Sequence, residues 1–196
     1  MKMNLSRSEL ANTEQDLLSI YPGDPPAVIR QKVLNFNKQA IDGLDSTLRD
    51  EAISQAADLI ANARRILILG EGGSGSTART AFDVFLKLSL PCEYVSDPFF
   101  ELMVIDQLTG QDVILCICNS ARSRGMIENL QKASAQGIPT IGIIGLPNSP
   151  MSKYLTVEIT TNLFTSELFS DLIASRICEI SALSVLYSIL ALQRSS

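Results

Sequence analysis

The chain contains no histidine, and its 196 residues include only four cysteines, Cys92, Cys116, Cys118 and Cys178. The missing histidine removes the commonest general base and every Ser-His or Cys-His nucleophile pair. The cysteines form a C-x-C pair but no C-x-x-C, so neither a metal site nor a bound cofactor is expected. Cys116 and Cys118 stand two apart in an apolar run, which on a strand places them on one face. Buried, reduced thiols are the expectation. There is also no basic block: 16 Lys and Arg face 21 Asp and Glu, a formal net charge of −5. Phosphate backbones are held mainly by clustered Lys and Arg, so this stretch is expected to carry no large nucleic-acid footprint, and any DNA contact lies elsewhere. The first ten residues hold charges but no apolar core of a secretory signal, which predicts a cytoplasmic protein. A membrane span is not expected either, because Asp171, Arg176 and Glu179 leave the apolar C-terminal segment too short an uncharged stretch.

What is present is enough apolar material, 46% of residues against 19% charged, to fill one globular domain with some additional chain. Leu5, Leu10, Leu17 and Leu18 predict a short helix, broken by the linker Tyr21-Pro22-Gly23-Asp24-Pro25-Pro26. Val28, Val33, Phe36, Ala40 and Leu44 predict a helix whose prolines sit at its N-terminus. Ser46 is expected to cap a second helix, with Ala52, Ile53, Ala56, Ile60 and Ala63 as its stripe. Beyond Arg65 short apolar runs alternate with helical patterns. The runs Ile66 to Leu69, Cys92 to Val95, Val113 to Cys118, Thr140 to Ile144 and Val157 to Thr160 read as strands. Helices are predicted near Thr77 to Leu88, Pro98 to Gln107, Ser123 to Gln136 and, briefly, Ser149 to Tyr154. Gly137-Ile138-Pro139 is a stop between helix and strand. Such alternation predicts βαβ units and a mainly parallel sheet covered on both faces. Phe169 to Gln193 reads as a long buried helix, suited to a subunit interface.

Two loops carry chemistry. In Ile66-Leu67-Ile68-Leu69-Gly70-Glu71-Gly72-Gly73-Ser74-Gly75-Ser76-Thr77 an apolar strand runs into glycines and hydroxyls at a helix start, where free N–H groups and partial positive charge favour anions. No Lys follows the glycines, which excludes a Walker loop. The dinucleotide pattern is met only formally by Gly70, Gly72 and Gly75, and neither Glu93 nor Asp97 is clearly at a strand end. A glycine turn with capping hydroxyls and no ligand is the plainer alternative. The second loop, Cys118-Asn119-Ser120-Ala121-Arg122-Ser123-Arg124-Gly125, again leads from strand to helix. Ser120 and Ser123 can donate to phosphate oxygens, and Arg122 or Arg124 can add charge. Either loop alone is also an ordinary capped helix start; two on one sheet edge can face each other across a crevice.

The order strand, G-x-G-x-S-G, helix, and later strand, S-x-S-G-x-T, helix resembles the SIS (sugar isomerase) domain, which binds phosphosugars. Gly70, Gly72, Ser74 and Gly75 match the first motif. In the second, Ser120 matches the middle serine, Ser123 replaces threonine, Ala121 replaces glycine and Cys118 replaces the first serine, a weaker donor as a thiol. Ser149-Pro150 and Ser170-Asp171, leading into Ala174-Ser175-Arg176-Ile177, are similar to the RpiR-type bacterial transcription regulators, which join a helix-turn-helix domain to a SIS domain. The resemblance implies an α/β fold, a three-layer αβα sandwich with a five-stranded parallel, flavodoxin-like sheet preceded by N-terminal helices. It places the SIS domain at residues 25–196. Residues 1–24 would be linker and, from Lys2-Met3-Asn4-Leu5-Ser6-Arg7, the tail of a preceding DNA-binding domain.

By the same resemblance the chain senses a sugar phosphate and is not an enzyme. The implied ligand-binding set is Gly72, Gly73, Ser74, Cys118, Asn119, Ser120, Arg122, Ser123 and Asp171, with phosphate at Ser120 and Ser123 and sugar hydroxyls at Ser74. The implied partners are the sugar phosphate, DNA only through the helix-turn-helix domain, and further copies in a homodimer or homotetramer. The rival reading is a free-standing aldose-ketose phosphate isomerase, for which only carboxylates such as Glu71, Glu167 or Asp171 are available as the base. A degenerate scaffold that only dimerises is the third.

Overall fold

A computed structural model of the chain describes residues 19–161 and 170–195. The short helix expected within the first twenty residues falls largely outside them, as does Glu167. Helix α1 spans Pro26–Thr47, with a proline at its first position where no helical N–H is lost. Its buried residues Phe36, Ala40 and Leu44 recur every four positions and form one stripe. Helix α2, Asp50–Asn62, buries Ala52, Ile53, Ala56, Ala57 and Ile60, and Asp50 and Glu51 in its first turn suit the positive end of the helix dipole. Ser46 does not cap it. Helix α1 continues through Thr47, and the Ser46 hydroxyl donates back to the Gly43 carbonyl within α1 at 2.8 Å. The α2 cap position is Arg49, whose side chain makes no capping bond.

The five strands are β1 Ile66–Gly70, β2 Cys92–Val95, β3 Val113–Cys118, β4 Thr140–Ile144 and β5 Val157–Thr160. They form one parallel sheet in the order β2-β1-β3-β4-β5. Central β1, β3 and β4 are buried at every residue, whereas edge strand β5 alternates between buried and half-buried. The helices that follow are α3 Ser74–Lys87, α4 Pro98–Ile105, α5 Arg124–Ala135 and α6 Ser170–Ser195, with a 3-10 turn at Ser152–Tyr154. Helix α3 starts three residues before the expected Thr77, directly at the glycine loop. The Asp97 carboxylate caps α4 by accepting from the Phe99 N–H at 2.9 Å. Past α5, Gly137 takes a φ of +70°, and Ile138 N–H bonds back to the Ala133 carbonyl.

Alternate strand residues feed two cores. Ile66, Ile68, Leu115, Ile117, Ile141 and Ile143 pack under α2, α3 and α6, while Leu67, Leu69, Ile114, Cys116 and Cys118 pack under α4 and α5. This is the three-layer sandwich. Cys116 and Cys118 share the second face and are buried free thiols, and burial pushes the Cys116 thiol far up. A third cluster joins Phe36, Ala40 and Leu44 of α1 to Ala174 and Cys178 of α6, where burial raises the Cys178 thiol to about 11. By length and composition Ile173–Arg194 is apolar enough to cross a membrane, but here its apolar residues Ala182, Leu183, Leu186 and Leu190 are buried against the sheet layer.

Strand order reverses direction around β1, whose neighbours are β2 on one side and β3 on the other. The loops leaving the carboxyl ends of β1 and β3 lead to helices on opposite faces, the position at which open α/β sheets bind ligands. Gly70 makes the close turn possible: a Cβ on it would sit 2.6 Å from the Ala78 Cβ and 2.9 Å from the Ser74 carbonyl oxygen. The Gly70→Ala variant is therefore expected to lose about 1–3 kcal/mol by overpacking, read as a lower denaturation midpoint in urea. An unchanged midpoint would show that the β1–α3 turn is not the rigid element described.

Candidate functional site

The first loop consists of Glu71, Gly72 and Gly73. Gly72 adopts a φ of +54°, the left-handed region that glycine enters without strain. The amides of Ser74, Gly75 and Ser76 bond back to the carbonyls of Glu71, Gly72 and Gly73 at 3.1–3.3 Å, winding the loop tightly into α3. The Ser74 side chain does not face solvent. Only 3% exposed, its hydroxyl donates to the Glu179 carboxylate at 2.9 Å and accepts from the Asn119 N–H at 3.3 Å. Gly72 and Gly73 are exposed.

The second loop is built on Asn119 to Ser123. Ala121 is fully buried with a φ of +48°, a conformation uncommon for a residue with a Cβ, and its N–H bonds to the Cys118 carbonyl at 3.2 Å. The Ser120 side chain is at the surface, accepting from the Arg122 N–H at 3.4 Å and lying 3.7 Å from the Cys118 thiol. Ser123 caps α5, its hydroxyl accepting from the Met126 N–H at 3.4 Å and donating to the Glu71 carboxylate. Arg122 is exposed, and Arg124 pairs with Glu128 one turn along α5 at 2.9 Å. Asn119 is pinned through its backbone, and its Oδ1 is buried without a hydrogen-bond partner among the described residues. A Cβ on Gly145 would stand 2.2 Å from that oxygen, so the end of β4 closes over it.

The two loops are thus joined twice, by Asn119 to Ser74 and by Ser123 to Glu71. Of the expected site residues, Gly72, Gly73, Ser74, Cys118, Asn119, Ser120, Arg122 and Ser123 all lie on these loops or at the strand end beneath them. Asp171 falls in the first turn of α6, and its side chain lies outside the described part of the structure.

Two buried carboxylates beside the site were not anticipated. Glu179 of α6 is fully buried and accepts from Ser74, from the Thr77 hydroxyl at 2.9 Å and from Arg176 at 2.8 Å. Burial raises its pKa, against the opposing pull of the Arg176 charge and the hydroxyl donors. The Arg176 guanidinium lies on the first loop so closely that a Cβ on Gly73 would be 2.3 Å from Nη1. Glu101 of α4 is also fully buried, accepting from the Asn129 side-chain amide at 2.6 Å, with its other oxygen unpartnered among the described residues. Burial, and secondarily the negative charge of Glu71, push it from 4.5 to about 7. The available signal was a single carboxylate inside an apolar helical run, as in Phe99-Phe100-Glu101-Leu102-Met103, since such a residue is rarely buried unless partnered.

Glu101 gives a pH dependence of known sign. With its folded pKa raised, the folded state binds the proton more tightly than the unfolded chain, so its contribution to stability is full below about 4.5 and declines as pH rises to about 7. The loss is roughly 3 kcal/mol at most. The Glu101→Gln variant is expected to lack this decline, so that urea midpoints of wild type and variant diverge from pH 4.5 to 7. Parallel profiles would refute a buried carboxyl with a raised pKa at this position.

With this geometry in place, likeness to known proteins becomes specific. The model of the SIS domain matches residues 59–177, more than half of the chain and both loops. An uncharacterized HTH-type transcriptional regulator of Caldanaerobacter subterraneus is 31% identical over 168 residues, covering 86% of this chain. The chain spans 59% of that regulator's length. Among solved structures, the sugar isomerase domain of an RpiR transcription factor from Sphaerobacter thermophilus superposes with a TM-score of 0.77 at 15% identity, covering 85% of this chain and 92% of that one. The Vibrio vulnificus NanR protein complexed with ManNAc-6P superposes at 0.78, also at 15% identity, covering 93% of this chain and 66% of that one. The parallel sheet, the paired strand-to-helix loops and the family match together establish that the chain belongs to the SIS domain family.

Proposed function

We propose that this chain is the ligand-sensing part of a helix-turn-helix transcriptional regulator, binding a sugar phosphate between the loops after β1 and β3. The observation that carries the reading is the pair of strand-to-helix loops at the reversal of strand order, which brings the starts of α3 and α5 together and leaves Gly72, Gly73 and Ser120 exposed. In this reading the phosphate sits at the start of α5, held by Ser120, Ser123 and backbone N–H groups, with Asn119 and Arg122 assisting. Gly72 and Gly73 form the sugar end, Ser74 lies buried behind them holding Asn119 and Glu179, and Cys118 underlies Ser120. The match to an HTH-type regulator supports a DNA-binding domain outside this stretch, and the ligand in the NanR complex supports a phosphosugar as the class of effector. The setting is the cytoplasm.

Sensing is favoured over catalysis by the lack of any histidine and by the match to an HTH-type regulator. Glu101 and Glu179 are fully buried, which leaves neither free to move a proton between substrate carbons. A homodimer or homotetramer is supported by the exposed apolar residues Leu34 and Ile41 on α1 and Val185 and Leu192 on α6. Occupancy shifts such an assembly only if the ligand prefers one of its geometries.

Isothermal calorimetry against a panel of five- and six-carbon sugar phosphates tests the reading. At least one is expected to bind without turnover, and Ser120→Ala to weaken it roughly 10- to 150-fold, the worth of a hydrogen bond to a charged group. Binding by none of them to the folded protein refutes sensing, and isomerisation of any refutes the non-enzymatic assignment.

A further inference from the structure

We propose that Glu71 is an internal competitor for the phosphate subsite, its carboxylate held at the start of α5 by the hydroxyl that the ligand must use. The inference rests on the reading above and adds to it how the subsite is occupied before ligand arrives. Three observations converge. The Ser123 hydroxyl, which caps α5 by accepting from Met126 N–H, spends its only proton on Glu71. Glu71 reaches the first turn of α5, because a Cβ on Gly125 would lie 3.4 Å from its Oε1. Arg124, next to Ser123 in sequence, is turned away to Glu128 with 93% of its side chain exposed. The 12-residue helix α5 therefore has a carboxylate from the opposite loop as the anion at its positive end.

One hydroxyl proton cannot serve two anions, and two anions at one capping serine repel each other. Phosphate binding is then an exchange: Glu71 leaves Ser123 as the phosphate arrives. A doubly charged phosphate gains more from the helix end than a singly charged carboxylate does, and the exchange thereby selects phosphorylated sugars over sugar acids.

The test compares wild type, Glu71→Gln and Glu71→Ala for binding of inorganic phosphate by calorimetry, with the Met126 amide followed by NMR. The glutamine keeps an acceptor for Ser123 but removes the charge. Both variants are expected to bind phosphate about tenfold tighter or more, with the Met126 amide shifting on titration. Unchanged or weaker phosphate binding by Glu71→Gln overturns the proposal, as does binding by none of the three proteins; should Glu71→Ala fail to fold, Glu71→Gln alone decides. Failure here with a sugar phosphate still bound by wild type leaves sensing standing. Tighter phosphate binding by Glu71→Gln with no sugar phosphate bound by wild type upholds the competitor and refutes sensing.

Discussion

A carboxylate taken wholly out of water must be met by donors, and Glu179 is met by Ser74, Thr77 and Arg176. Two of these lie in the first turns of α3 and the third on α6 itself. The positions of the C-terminal helix, the glycine loop and the start of α3 are therefore not independent. Because α6 also buries Ala174 and Cys178 against α1, the N-terminal helices are drawn into the same constraint. Removing any one donor would leave part of a buried charge uncompensated, which is why a serine at the mouth of a proposed ligand site is almost inaccessible.

The site owes its shape to backbone choices as much as to side chains. Gly70 and Gly73 admit Ala78 and Arg176 at distances a Cβ would forbid, and Gly72 turns the loop at positive φ. On the opposite wall Ala121 takes a left-handed conformation where the family pattern has glycine. The substitution keeps the turn, closed by its N–H to Cys118, at the cost of local strain. Ser120 remains at the surface and Ser123 at the helix cap, so replacing the motif's glycine leaves both hydroxyls in position.

Strands were legible in the sequence because a doubly covered parallel sheet requires continuous apolar runs, and Val113 to Cys118 or Thr140 to Ile144 can satisfy nothing else between turn signals. The two loops were legible because glycines and hydroxyls between such runs have few other uses. Ser46 misled because a serine before a polar stretch resembles a cap, whereas its hydroxyl bonds within its own helix and the break falls at Leu48 and Arg49. The partners of Ser74 and Ser123 were not legible. Glu179 lies 105 residues from Ser74 and Glu71 lies 52 from Ser123, and no local pattern encodes a contact made only once the sheet has formed.

The hydrogen bonds through Ser74 all point one way. The Asn119 N–H gives to Ser74, and Ser74 gives to Glu179, so the donors are aligned head to tail from the β3 loop to the C-terminal helix and polarise one another. Such a line behaves as a wire with a fixed polarity, whose negative terminal is the carboxylate on α6. The line joins a loop on one face of the sheet to a helix on the other, so how firmly α6 is held depends on the position of the Asn119 backbone as well as on the apolar contacts beneath it.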